Sequence, residues 1–317
     1  MEVGTEEDSM INLLFNIINP ICFINNQIDW SSLKGIGYET AKKMYEMGAT
    51  VVLAIRDGKA GEFAKKCIQD EVKKSKGTLV VITIDLSDLQ SVARFANDFK
   101  NQFSQLDYLI NNAGVMMCPF GTTKQGIEIQ FGTNHIGHFL LTQLLLDLVK
   151  NSKGRIINVS SIASVWFVHR KDIESFCSYK QDVVMDDGKS RANETSLYGR
   201  SKLANVLFTK KLARELGKEG VGVYCLHPGG VRTNLTRHFN SIFQLVYAPI
   251  SWYFSKSAWQ GAQTTLHLAL STRDSIVNGA YYSDCKLNKG SAFSNNEALQ
   301  DTLYETSLKI CQPYLQQ

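Results

Sequence analysis

The chain has 317 residues, 44% of them hydrophobic and 20% charged, which is enough apolar material for a large core and unlike a disordered chain. Its formal net charge of +4, from 34 basic and 30 acidic residues, is small and scattered. No RNP, zinc-finger or basic-region pattern accompanies it, which argues against a nucleic-acid partner. The seven cysteines stand singly and form no C-x-x-C pair, so the sequence reads as a reduced intracellular chain with neither a disulfide framework nor a metal site.

The first residues, MEVGTEEDSM, are acidic, unlike a secretory or organelle-targeting leader. The apolar stretch Ile11–Ile24 carries Asn12, Asn16, Asn19 and Pro20 and is too short to span a bilayer. From Gly35 onward, helical patterns alternate with short β-branched runs. Tyr38–Met47 is predicted helical and ends at Gly48, and Thr50–Ile55 (TVVLAI) is a strand. A helix over Glu62–Lys74 leads to the strand Thr78–Ile84. A second, over Ser87–Phe103 and capped by Ser87 or Asp88, leads to the strand Leu106–Ile110. A long helix over Glu128–Val149, a strand Arg155–Val159, a helix Leu197–Leu216 and a strand Val221–Leu226 follow. Wholly apolar strands separated by helices predict an α/β fold: a single doubly wound parallel sheet of the Rossmann type, helices on both faces, ligands at the strands' C-terminal edge. Residues 1–30 read as a divergent N-terminal segment, and 31–317 as the domain, with a lid around 234–260.

Four motifs bear on chemistry. Gly35-Ile36-Gly37 opens a helix, where a backbone without side chains can approach a pyrophosphate; by itself such a pair is more often just a turn. Arg56 stands at the end of the strand TVVLAI, where an acidic residue would grip the ribose of NAD, and Lys34 precedes Gly35; two cations here favour the 2′-phosphate of NADP(H). Tyr198 and Lys202, four residues apart, share one helix face, so the ammonium is expected to lower the tyrosine pKa toward the range useful for proton transfer. The strand Arg155–Val159 runs into Ser160 and Ser161, and a hydroxyl there can polarise a carbonyl oxygen or simply cap a turn.

The order Gly35-Ile36-Gly37, Asp85, Asn112-Ala113-Gly114, Asn134, Ser161, Tyr198-x-x-x-Lys202 and His227-Pro228-Gly229 resembles the short-chain dehydrogenases/reductases over residues from about 35 to 310. Asn134-His-Ile-Gly-His-Phe139, Gly261-Ala-Gln-Thr264 and Gly279-Ala-Tyr-Tyr-Ser-Asp-Cys285 are similar to the retinol dehydrogenase branch, which includes relatives of the WW-domain oxidoreductase. The resemblance implies that Tyr198 is the general acid/base and that Lys202 holds the nicotinamide ribose and tunes it. It implies that Ser161, in preference to Ser160, hydrogen-bonds the substrate oxygen, and that Asn134 supports a water relay to Lys202. Asp85 and the neighbouring Leu86 would meet the adenine, Asn112, Ala113 and Gly114 would line the cofactor, and Pro228 and Gly229 would pass near the nicotinamide. His135 and His138 match a non-metal helix of that family.

Residues 239–259 (FNSIFQLVYAPISWYFSKSAW) are densely apolar and aromatic. The matching segment of the family covers the substrate pocket, which implies a lipophilic substrate such as a retinoid, steroid or lipid aldehyde. Peripheral contact with a membrane surface, a helix packed on the core and a homodimer face are competing readings of the same residues. The insert 165–196 reads as a surface excursion beside the pocket. The compartment expected is the cytoplasm, with association to the endoplasmic reticulum or mitochondrial membrane as the alternative.

The family pattern breaks ahead of Gly35. Trp30 and Ser31 stand where the family has Thr-Gly, and the strand before them would read Asn25-Asn-Gln-Ile-Asp29, too polar for the centre of a sheet. Ile21–Ile24 is a better strand but lies too far from Gly35 for the family's loop. Either the strand has diverged or the start of the sequence is not the native one, the second being favoured. A non-catalytic binding or regulatory protein with a weakened cofactor loop is therefore the alternative to an active oxidoreductase.

Overall fold

In a computed structural model of the chain, the described residues are 21–25, 35–168, 173, 177, 194–231 and 255–315. The elements are, in order, β1 (Ile21–Asn25), α1 (Ile36–Glu46), β2 (Thr50–Ile55), α2 (Gly58–Glu71), β3 (Thr78–Thr83), α3 (Leu89–Gln102) and β4 (Tyr108–Asn111). A single turn (Ile129–Phe131) and a π-turn (Gly132–Ile136) lead into α4 (Gly137–Asn151). Then come β5 (Arg155–Val159), the short α5 (Ala163–Trp166), α6 (Glu194–Leu216) and β6 (Gly222–His227). α7 (Ala258–Leu270), β7 (Tyr281–Ser283), β8 (Lys286–Asn288) and α8 (Glu297–Leu315) complete the chain.

The eight strands among the described residues form one sheet in the order β3-β2-β1-β4-β5-β6-β7-β8. All neighbours are parallel except β7 and β8, which pair antiparallel as an edge hairpin. Helices cover both faces. On one side, Tyr38, Ala41 and Met44 of α1, Ala64 and Ile68 of α2 and Ala262 and Leu266 of α7 bury against the sheet. On the other, Phe95 and Phe99 of α3, Phe139 and Leu145 of α4, Leu203 and Phe208 of α6 and Leu303 of α8 do the same. This is the doubly wound Rossmann sheet that the alternating pattern predicts.

The first strand corrects the sequence reading. Ile21–Asn25 pairs in register with β2 (Ile21 to Thr50, Asn25 to Ala54) on one side and with β4 (Cys22 to Tyr108) on the other. The strand thus lies at the centre, and Cys22 is fully buried. The centre of a parallel sheet demands an apolar run, and that demand outweighs the usual loop length counted back from Gly35. The sheet therefore begins before the boundary expected at residue 30. The order reverses between β1 and β4, which opens a crevice at their C-terminal ends, the place where such sheets bind ligands.

Smaller differences have local causes. α3 starts at Leu89 because the Asp88 carboxylate, not Ser87, accepts from the Gln90 amide at 3.1 Å. Asp57 starts α2 four residues earlier than expected by accepting from Lys59 and Ala60. Nearly all of the proposed lid (234–260), Lys34, and the insert apart from 165–168, 173, 177 and 194–196 lie outside the described residues.

Candidate active site

Residues expected at the site lie at or beyond the C-terminal ends of β2 to β6 and at the start of α1. Gly35 caps α1 in an extended conformation with no side-chain hydrogen bond, and Ile36 and Gly37 form the first turn. This leaves the first amides of α1 without a capping side chain beside the end of β1, which fits a pyrophosphate. Arg56 ends β2 and is exposed. Asp85 and Leu86 follow β3, with the Asp85 carboxylate accepting from the Ser87 amide (2.9 Å) and hydroxyl (2.6 Å). Asn112, Ala113 and Gly114 follow β4, Ser160 and Ser161 follow β5, and Pro228 and Gly229 follow β6, Gly229 with φ +92°.

The structure brings five of the expected residues together. Lys202 is 3% exposed, its ammonium donating to the Val159 carbonyl at 3.0 Å and lying 5.8 Å from the centre of the Tyr198 ring. The Tyr198 side chain is hydrogen-bonded to Ser161. Asn134, within the π-turn, accepts from the Val115 amide (2.8 Å) and donates to the Val115 carbonyl (2.9 Å) and Ser201 hydroxyl (3.0 Å). A π-turn in an α-helix is often tied to a functional site. A side chain on Gly114 would lie 3.0 Å from Asn134 Oδ1 and 3.3 Å from Lys202 Nζ. A bare backbone here lets Asn134 and Lys202 approach the turn after β4 this closely. Arg56 does not join this cluster: β1 separates its strand from β4.

The two serines have different partners. The Ser160 hydroxyl is 2% exposed and donates to the Lys202 main-chain carbonyl at 2.7 Å, so it ties β5 to α6. Ser161 is half-buried and faces Tyr198. A profile of the short chain dehydrogenase family matches residues 31–185 and 182–242.

This chain is a short-chain dehydrogenase.

It is 42% identical over 278 residues to human retinol dehydrogenase 11, covering 87% of this chain and 82% of that one. To mouse retinol dehydrogenase 14 it is 39% identical (86% and 81% covered). To the Brassica napus short-chain dehydrogenase TIC 32 A, chloroplastic, it is 38% identical (87% and 85% covered). Among solved structures, an uncharacterized protein from Mycobacterium paratuberculosis superposes with a TM-score of 0.68 at 29% identity, covering 93% of this chain and 94% of that one. The Pseudomonas aeruginosa RhlG/NADP complex shares the fold at a TM-score of 0.59 and 21% identity, covering 84% and 95%. The protein is an oxidoreductase similar to the retinol dehydrogenases.

The dehydrogenase's electrostatics differ from the sequence reading at one point. Burial pushes the Tyr198 phenol up to about 12, with the Ser161 hydrogen bond acting in the opposite direction. Lys202 does not offset this, because its ammonium is turned to the Val159 carbonyl and is itself pulled down to about 8 by burial. In the protein alone, the Tyr198 pKa is thus raised, where helical spacing led to the expectation of a lowered one.

Sequence reasoning missed the polar ladder beneath the site. Asn111 donates to Asn158 (2.8 Å) and Thr142 (3.1 Å), and Asn158 donates to Thr209 (2.9 Å), tying β4, β5, α4 and α6 together in the core. The available signal is an asparagine inside an otherwise apolar run, as in Arg155-Ile-Ile-Asn-Val, since a buried amide must find partners. Ser201, the partner of Asn134, was signalled only by standing next to Lys202. Among the described residues no group of three His, Cys, Asp or Glu side chains could hold a metal, and no helix is long and apolar enough to cross a membrane.

Proposed function

We propose that this dehydrogenase is an NADP(H)-dependent enzyme that interconverts a lipophilic alcohol and its aldehyde or ketone, with Tyr198 as the acid/base. The observation that carries the reading is the cluster of Tyr198, Ser161 and the buried ammonium of Lys202 beside the bare backbone of Gly114. A buried ammonium held by one carbonyl is costly unless it serves a ligand or a reaction.

The bound nicotinamide would supply or accept the hydride. In the reductive direction Tyr198 Oη gives its proton to the substrate oxygen, and the raised phenol pKa keeps that proton available at neutral pH. Ser161 Oγ donates a hydrogen bond to the same oxygen as negative charge builds on it. Lys202 would hold the ribose of the bound cofactor through the remaining hydrogens of its ammonium and, with its own pKa lowered, can pass a proton toward Tyr198. Asp85 and Leu86 would border the adenine, and Pro228 and Gly229 would border the nicotinamide.

NADP(H) is favoured over NAD(H) by Arg56 at the end of β2, together with the commitment of the next residue. The Asp57 carboxylate accepts from Lys59 at 2.8 Å and Ala60 at 3.3 Å at the start of α2, so it is directed to the helix and not to a ribose. The likeness to retinol dehydrogenases supports a retinoid or another lipophilic carbonyl, and the likeness to a chloroplast dehydrogenase at nearly the same identity leaves the class broader than retinoids.

The test is NADPH-dependent reduction of all-trans-retinaldehyde and of steroid and lipid aldehydes by the full chain, with Tyr198→Phe alongside. Turnover in the native protein and its loss in a folded Tyr198→Phe variant are expected. An equally active Tyr198→Phe protein would overturn the mechanism, and NADPH binding without turnover of any carbonyl would favour the regulatory alternative.

A further inference from the structure

Both histidines of the Asn134-His-Ile-Gly-His segment are buried, and the chemistry above uses neither. His135 reaches away from the site: its Nε2 lies 2.9 Å from the Ser307 hydroxyl on α8, which itself donates to the Leu303 carbonyl. His138 reaches toward the site. It stands one helical turn after Asn134, and its Nδ1 lies 2.8 Å from the Asn134 carbonyl oxygen. A carbonyl cannot donate, so Nδ1 carries the ring proton. Burial holds His138 down at about 4, and the Lys202 ammonium acts in the same direction. The ring is therefore neutral at working pH, with Nε2 as a bare acceptor.

That Nε2 is buried and meets no donor among the described residues. An unmet buried acceptor costs stability, and an apolar side chain would fill the same volume without that cost. Packing alone does not explain an imidazole here. The Nδ1–H bond does offer a reason, and its target is the residue that the site depends on. The Asn134 side chain is already committed as a clasp between Val115 and Ser201. What remains of Asn134 for the reaction is its carbonyl, in a π-turn whose changed pitch upsets the regular backbone ladder at that point.

We propose that His138 is a positioning residue for proton transfer, its Nδ1–H clamping the Asn134 carbonyl and so fixing the π-turn against Gly114 and Lys202. The inference rests on the reading of Tyr198 and Lys202 as the proton-transfer pair. The imidazole does not change protonation state during turnover. It acts as a permanent donor.

Three variants of the full chain separate the clamp from mere bulk. His138→Asn keeps an N–H close to the place of Nδ1. His138→Gln moves its amide outward toward the place of Nε2, and His138→Leu keeps neither group. Misplacement of a site by about 1 Å can cost on the order of 100-fold in rate. Glutamine and leucine are expected to lower kcat for NADPH-dependent reduction of retinaldehyde by about 10- to 100-fold, with the KM for aldehyde and the Kd for NADPH within about twofold. Asparagine is expected to restore kcat to within about threefold of native. Native kcat in the glutamine and leucine variants would overturn the proposal, as would an asparagine variant no better than leucine, or a loss carried by Kd or by unfolding.

A measurement independent of turnover is the long-range ¹H–¹⁵N spectrum of the histidines, with His138 assigned by its absence from the asparagine variant. An Nδ1–H tautomer persisting from about pH 5 to pH 9 is expected from a buried, carbonyl-bound ring. An Nε2–H tautomer would overturn the clamp whatever the activity shows. If the native protein turns over no carbonyl, the proposed function fails, while the spectrum still decides the clamp.

Discussion

Exchanging Ser161 and Ser160 for alanine, one at a time, separates chemistry from architecture at the end of β5. The Ser161 hydroxyl faces Tyr198 and makes one weak local bond, accepting from the Ala163 amide at 3.2 Å. Its loss is expected to cost about 0.5–1 kcal/mol of stability, as for a short cap. Removing a donor aimed at a developing oxyanion costs about 100- to 1,000-fold in kcat, or roughly 3–4 kcal/mol of transition-state stabilisation. The Ser160 hydroxyl is buried and spends its proton on the Lys202 carbonyl at 2.7 Å. Ser160→Ala is expected to cost about 1–2 kcal/mol of stability. That is a fall in Tm of a few degrees, at about 2–4 °C per kcal/mol for a large domain. Its kcat should stay within about threefold, because no donor to substrate is lost. The assay pairs initial rates of NADPH oxidation with thermal unfolding of each variant. A dead but thermally unchanged Ser160→Ala beside an active Ser161→Ala would refute the assignment of both hydroxyls.

Three further outcomes are expected. Gly114→Ala places a methyl group 3.0 Å from Asn134 Oδ1 and 3.3 Å from Lys202 Nζ, so the Kd for NADPH by fluorescence titration should rise at least about tenfold; an unchanged Kd would mean the cofactor does not pass there. Arg56→Asp replaces a cation with a carboxylate at the end of β2 and should move the ratio of kcat/KM for NADPH to NADH by at least about 100-fold toward NADH, roughly 2.7 kcal/mol; an unchanged ratio would remove Arg56 from cofactor choice. Burial holds His135 at about 3 and His138 at about 4 in the folded chain, against about 6.5 unfolded. Below about pH 6.5 the unfolded chain takes up protons that the native chain refuses, so stability falls as pH drops toward 4, by up to about 1.4 kcal/mol per pH unit for each ring. Urea midpoints measured between neutral pH and pH 5 should show a shallower slope for His135→Phe, and an identical slope would place the acid sensitivity elsewhere.

Much of this protein was legible in the sequence because its signals are local. Apolar strand runs such as Thr50–Ile55 and Arg155–Val159 appear in the structure with the limits read from the sequence. The spacing of Tyr198 and Lys202 fixed their shared helix face, and the ordered motifs placed the site at the strands' C-terminal ends. Helix starts were read less well where a side-chain cap decided them, as Asp57 and Asp88 did.

What the tertiary structure alone decided depends on partners distant in sequence. Ile21–Asn25 becomes the central strand because β2 and β4 both need an apolar neighbour, a requirement invisible when counting back from Gly35. Ser160 and Ser161 are chemically identical and adjacent, and only the approach of α6 sends one hydroxyl to the Lys202 carbonyl and leaves the other facing Tyr198. The same burial reverses the expected tyrosine shift. Helical spacing sets how near the ammonium can come, but the depth of the crevice and the Val159 carbonyl set where it points and how strongly charge is disfavoured. A sequence carries the side chains and their order, whereas desolvation and the competition among hydrogen-bond partners exist only once the chain has closed around them.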